Sequence, residues 1–447
     1  MFASSVSRWT PLYFAVALGS FVLAQILMAA GFTFPSVSLF APATLVAVHL
    51  LTIGWLTLLM LGALQQFVPV ITAEGAPAGP SALVSLIAIV LGLAGMEAGF
   101  LALDGRLPAF LLHCLPVGGS LVLVGVAITA VWLSHILWRT RPLPFHARFV
   151  AAALFFLLAA LGLGIVMALG FAAPGIVTWS GDLSDLLRLH LFAGLLGWFM
   201  LLAIGVSYKL IGMFTLAPEE RGAVGDAVFG LTAGGLAAAW LLALAEAVVA
   251  PVPESLITAA AAVIASGIAL YLFDMARLYR ARRRNNLELN TLMAVPALAA
   301  LAVCLALGVY VYAEGSGERL AGALGYLFVF GWLSGLGLSQ LYKIVPFLTW
   351  LERYGSLLGK KSVPRVQDLV CEARDRPWFV LYFAAVALGA VFAGLGWAVP
   401  WRVAVAGHLV ATLMIARALW LARYGIPKPA AAVPPLPPFA SDTTAAE

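Results

Sequence analysis

Charged residues are scarce in this sequence. They make up 10% of its 447 residues, while hydrophobic residues make up 63%. A soluble domain carries roughly a quarter charged residues and about half apolar ones. A chain this apolar has too few polar groups to cover its surface in water. Its composition therefore excludes a soluble protein and indicates a protein that lies in a bilayer.

Cysteine is also scarce, with three residues and no CxxC pair. This excludes a disulfide scaffold and a cysteine-rich zinc site. The net charge of +5 comes from arginines spread over separate short segments. No basic domain is present, so we expect no nucleic-acid partner.

Long continuous apolar runs are what the sequence has in abundance. They do not alternate with polar residues, so they predict helices rather than the strands of a barrel. We therefore expect an all-α polytopic membrane protein of about twelve spans. The predicted spans are 11–31, 40–69, 81–103, 108–138, 147–172, 183–214, 225–250, 255–279, 290–313, 319–350, 377–398 and 402–422.

Basic residues predict the orientation. They gather after the fourth, eighth and tenth spans, whereas the opposite connections hold few, chiefly Arg106, Arg319 and Arg402. The basic side of a multi-pass protein faces the cytoplasm. Both termini are then cytoplasmic, and we expect a bacterial inner-membrane protein in contact with membrane lipid. The Pro/Ala-rich tail, 425–447, is predicted to be disordered.

Three spans share a sequence pattern that predicts an internal repeat. Aligning them on Gly54-Trp55, Gly197-Trp198 and Gly331-Trp332 brings small residues and long polar residues further along into register. The matching spans are the second, sixth and tenth, so the predicted unit is four helices that occur three times. The predicted repeats are 1–146, 147–288 and 289–424, packed with pseudo-threefold symmetry.

Ionisable residues inside predicted spans are the candidates for function, because burying them in a bilayer is costly. Four histidines fall in one layer near the outer ends of even-numbered spans: His49, His113, His190 and His408. Neutral imidazoles in an apolar bundle suit haem iron or another metal. An inert packing role for each histidine is the alternative.

Two carboxylates fall in the same layer, Glu97 in the third span and Glu246 in the seventh. They are candidates for orienting a metal ligand, or for reaching water at the interface. The adjacent His113 and Cys114, with Met96, form a weaker candidate site for copper. The candidate metal-binding set is therefore His190, His113, Cys114, Glu97 and Glu246.

The span number, the repeat and the histidines in the second and sixth spans resemble subunit I of the haem-copper oxidases. The likeness covers nearly the whole predicted membrane part. It implies that His49 ligates a haem and that His190 is the nearest counterpart of a copper ligand. His190 lies two residues before the position aligned with His49, a rotation of about 200° on an α-helix, so the two need not share a cavity.

The departures from that family concern its oxygen-reducing site. The resemblance calls for a histidine pair in the seventh span and His-x-His in the tenth, but the seventh span has no histidine and the tenth reads Gly325-Tyr326-Leu327. We therefore do not expect an active terminal oxidase. A haem on His49 would need a new partner, first His408, and Tyr326 is a further ligand or hydrogen-bond donor. The NnrS-like haem and copper membrane proteins are similar in architecture.

These residues favour a membrane protein that binds haem, copper or both, with a role in electron transfer, nitric oxide response or metal handling. A respiratory complex or a periplasmic electron or metal carrier is the corresponding partner. The alternative is a transporter or channel that uses the outer histidines and glutamates. A structural subunit with inert histidines is a third interpretation.

Overall fold

Twelve long apolar helices make up the part of the chain that the structure describes. The structure is a computed structural model that describes residues 9–74, 79–175, 183–218, 222–249, 251–315 and 317–425. Each helix is long and apolar enough to cross a membrane, which confirms the predicted all-α polytopic class. The helices are α1 Thr10–Ala29, α2 Pro42–Thr72, α3 Ser81–Leu103, α4 Ala109–Arg139, α5 Phe145–Ala172, α6 Ser184–Thr215, α7 Gly222–Val248, α8 Glu254–Arg280, α9 Leu289–Glu314, α10 Glu318–Leu357, α11 Glu372–Leu395 and α12 Ala398–Tyr424.

The helix ends differ most from the predicted spans around the polar connection between α10 and α11. Helix α10 continues to Leu357, and α11 begins at Glu372, five residues before the predicted start. A helix satisfies its own backbone and so continues past the apolar run into polar sequence. Most of the predicted disordered tail, 426–447, lies outside the described residues.

Helices α2, α6 and α10 form the centre of the molecule. In their most apolar stretches 61% to 72% of residues are buried, against 28% to 44% in the other nine. Each packs its Gly-Trp glycine against the preceding helix: Gly54 against Ser20 and Gly331 against Ala300. Absence of a side chain at these positions lets the backbones approach closely.

A π-helical segment surrounds the Gly-Trp pair in each of the three central helices. The segments are Leu50–Thr57, Phe192–Met200 and Leu327–Ser334. Such segments, with hydrogen bonds to the fifth residue along, are rare and usually confined to single turns. The sequence pattern had placed these pairs in ordinary α-helix.

Two of the three Gly-Trp tryptophans form hydrogen bonds between the central helices. Trp55 donates its indole N–H to Ser334 on α10 (2.9 Å), and Trp198 donates to Thr57 on α2 (3.1 Å). Ser334 and Thr57 each lie two residues after the tryptophan of their own helix. The corresponding residue on α6 is Met200, whose side chain has no oxygen, and the buried Trp332 indole N–H has no hydrogen-bond partner in the part of the chain that the structure describes. The threefold repeat stays a prediction, and this arrangement is what such a repeat would produce.

Candidate functional site

His49 lies near the start of α2, one residue before its π-helical segment. Its Nδ1 is 2.9 Å from the carbonyl oxygen of Leu45, one turn earlier. A carbonyl only accepts, so Nδ1 carries the proton and the lone pair is on Nε2. The ring stacks on Phe100 of α3, with centroids 4.7 Å apart. The backbone and the aromatic ring together hold the imidazole in one orientation.

His190 on α6 also donates from Nδ1 to a backbone carbonyl, here one on the neighbouring helix α5. Its Nδ1 is 2.8 Å from the carbonyl oxygen of Ala160 on α5, so this ring also donates from Nδ1 and presents its Nε2 lone pair. Gly164, one turn further along α5, faces the ring: a Cβ there would lie 3.2 Å from the Cε1 atom of His190. Ala160 and Gly164 of α5 therefore hold the His190 ring in position. The sequence pattern did not indicate this contact.

Helices α2 and α6 lie side by side where Trp198 donates to Thr57, and each histidine lies eight residues before that contact, so the two histidines lie at the same level of adjacent helices. Both residues are half-buried, and the Nε2 atoms of both are without a hydrogen bond to the described protein and are not enclosed by it. The two-residue offset that separated them in the alignment assumed an α-helix. Each π-helical segment begins after the histidine and includes the Gly-Trp pair, so the rotation between the two is largely that of a π-helix rather than an α-helix.

His408 lies elsewhere, in the packed interface of α12 with α1, α10 and α11. Its Nδ1 is 2.7 Å from Oε1 of Gln25 on α1. Its ring lies 5.0 Å from that of Phe330 and 6.1 Å from that of Tyr326, between ring centroids. The structure thus brings His408 and Tyr326 together, whereas the ring contact of His49 is with Phe100 of α3. Gln25, a lone amide in an apolar span, was the signal that could have located this contact.

The candidate metal ligands are dispersed. His113 is exposed at the first turn of α4, and Cys114 beside it is half-buried. Glu246 binds Arg188 of α6 at 3.2 Å, which satisfies it as an interfacial ion pair. Within the described ranges, no three histidine, cysteine, aspartate or glutamate side chains are grouped to hold a metal ion.

Glu97 differs from Glu246 because no ion pair joins it to a cation among the described residues. Both of its carboxyl oxygens are buried and lack a hydrogen-bond partner. It precedes Phe100 by three residues, so the two lie on one face of α3, the face that meets His49. Glu97 is therefore a buried carboxyl group on the face of α3 that meets His49.

The contact between Gly164 and the His190 ring leads to a testable prediction. In Gly164→Val the new methyl groups meet the His190 ring and push it away from its position, so we expect weaker binding of any ligand held by Nε2. Gly162→Val is the matched control, because it adds the same side chain to the same helix with no atom within 4 Å of its Cβ. The measurement is the ligand affinity of the purified variants. An equal loss of affinity in both variants would contradict a role of Gly164 in positioning the His190 ring.

A scan against protein-family models finds no match for this chain, and a search of curated proteins finds none.

Proposed function

We propose that this membrane protein binds haem through the imidazoles of His49 and His190. The observation that carries the proposal is the shared tautomer of two neighbouring histidines on different helices. Each donates Nδ1–H to a backbone carbonyl and leaves Nε2 as a lone-pair donor. Metal-ligating histidines use this arrangement, in which the outer hydrogen bond orients the ring and raises its basicity.

The donor set fits haem iron better than a hydrated dication. Structural zinc takes four protein ligands, and calcium or magnesium takes oxygen ligands. Two imidazoles without a third grouped ligand would be enough to hold a haem, because the porphyrin would supply the remaining iron ligands. Copper shares the preference for imidazole and is the second candidate ligand for the same pair.

When bound, a haem with two imidazole ligands supplies one-electron chemistry or binding of a diatomic gas. The chain's own contribution is to hold both rings and to surround them with apolar helices. We infer a role in electron transfer, nitric oxide response or metal handling, with a respiratory complex or a periplasmic carrier as partner. By the distribution of basic residues we place both termini on the cytoplasmic side of a bacterial inner membrane.

The test is the optical spectrum of the detergent-purified protein, oxidised and reduced with dithionite, with haem and copper measured on the same sample. We expect haem in a stoichiometric amount, lost in both His49→Ala and His190→Ala. His135→Ala is the control, because His135 is exposed near the other end of α4. Copper without haem would assign the pair to metal handling. A colourless, metal-free protein would overturn the proposal and favour a transporter.

A further inference from the structure

Helix α8 is one of the two least buried of the described spans. Only 28% of its most apolar stretch is buried, as in α7, against 33% or more in the other ten. The exposed residues include Ala262, Ala269, Phe273 and Ala276, and the Phe273 side chain is 57% exposed. These positions are seven, four and three residues apart, so they lie along one face of the helix. No other described part of the chain covers this apolar face.

Five arginines follow on the last turn of α8 and just after it. They are Arg277, Arg280, Arg282, Arg283 and Arg284. The first two lie four and seven residues after Phe273 and are exposed, so they continue the apolar face. Within two helical turns, the face therefore changes from apolar to cationic. A phospholipid changes over a similar distance from its acyl chains to its headgroup.

The protein neutralises only part of this cluster. The first arginine lies 3.5 Å from Asp274, and the last lies 2.5 Å from Glu288. The middle three, Arg280, Arg282 and Arg283, are exposed and have no ion pair in the part of the chain that the structure describes. Arg282 donates only to a backbone carbonyl, one turn earlier. Three neighbouring positive charges are therefore left for a partner of opposite charge.

The length of the apolar face matches one leaflet of a bilayer. Ala262 and Phe273 are eleven residues apart, which is about 16 Å along a helix. The hydrocarbon core of a bilayer is about 30 Å thick, so one leaflet contributes about 15 Å. Arg277 and Arg280 lie a further ~6 Å and ~10 Å along α8, in the polar layer beyond the core.

We propose that this end of α8 binds an anionic phospholipid. Its phosphate pairs with Arg280, Arg282 and Arg283, and an acyl chain lies along the face from Phe273 to Ala262. Guanidinium groups bind phosphate oxygens through charge-assisted, often paired hydrogen bonds. An anionic headgroup balances the cluster, whereas a zwitterionic headgroup also brings a cationic group against the arginines. The site therefore selects anionic lipid, and it does not depend on haem.

The test is a lipid titration of the detergent-purified full chain, followed by native mass spectrometry. The probes are phosphatidylglycerol and phosphatidylcholine with the same acyl chains. We expect the first phosphatidylglycerol to bind about tenfold more tightly than phosphatidylcholine. The double variant Arg280→Gln, Arg283→Gln should lower its affinity by about 25-fold, at about fivefold for each arginine. Both side chains are exposed, so we expect the variant to fold.

Arg353→Gln with Arg376→Gln is the matched control. It removes the same charge from exposed positions at the end of α10 and the start of α11, on the same side of the membrane. Equal affinity of the unmodified protein for both lipids, or equal losses in the two double variants, would overturn the site. The same spectra give the oligomeric state. A dimer that Ala269→Trp separates would assign this face to a second copy of the chain and overturn the lipid proposal.

Discussion

Glu288→Gln is expected to destabilise the protein by about 3 kcal/mol, because it removes one partner of an enclosed ion pair. Glu288, the residue before α9, lies 2.5 Å from Lys343 Nζ of α10 and 2.5 Å from Arg284. The side chains of Lys343 and Glu288 are each 17% exposed. Glutamine keeps the size of the side chain but leaves the lysine charge without compensation.

The control for this prediction is Glu352→Gln. Glu352 is also paired with an arginine, Arg423, but its side chain is 59% exposed. Solvent replaces the lost interaction at such a site, so we expect a change below about 1 kcal/mol. The free energy of unfolding, measured by titrating the mixed-micelle protein with a denaturing detergent, distinguishes the two. Similar losses in both variants would show that the Lys343 pair is not enclosed.

A second mutation tests the same pair from the other side. Lys343→Met removes the charge that Glu288→Gln leaves uncompensated, so the double variant should be more stable than the sum of the single effects predicts. Additive losses would contradict a direct interaction between the two side chains. Arg284 loses Glu288 in Glu288→Gln and in the double variant alike, so its effect cancels in the comparison.

Gly197→Ala is expected to disrupt the packing of α6 on α5. A Cβ at Gly197 would lie 2.3 Å from Cγ and 2.4 Å from Cβ of Phe156, and Phe156 itself is buried. Cβ is attached to the backbone, so the contact cannot be relieved by rotating a side chain. Overpacking of this kind typically costs about 1–3 kcal/mol, and this contact is well inside van der Waals range.

Gly194→Ala is the matched control three residues earlier on the same helix. A Cβ there has its nearest neighbour, the Cβ of Ala160, at 4.0 Å. Alanine is favoured over glycine in a helix by roughly 0.5–1 kcal/mol, so Gly194→Ala should leave stability unchanged or raise it. Unfolding measured in the same detergent titration gives opposite signs for the two variants if the contact is real. A harmless Gly197→Ala would show that α5 and α6 are further apart.

The sequence by itself determined the fold class and the number of helices. Scarce charge and twelve long apolar runs leave few alternatives in a bilayer, where backbone groups must pair within each helix. It also identified the Gly-Trp pairs, the residues at which the three central helices meet. Local composition carries this information because each span satisfies its own hydrogen bonds.

Only the tertiary structure decided which ionisable residues have partners. Glu97 and Glu246 fall at similar depths in their predicted spans, yet Glu246 is paired with Arg188, whereas Glu97 has no ion pair within the described ranges of the chain. His49 was first matched with His408, but the ring of His408 packs beside Phe330 and Tyr326, whereas the ring of His49 stacks on Phe100. Which faces of neighbouring helices meet depends on packing between distant segments, and the pattern within one span does not specify it.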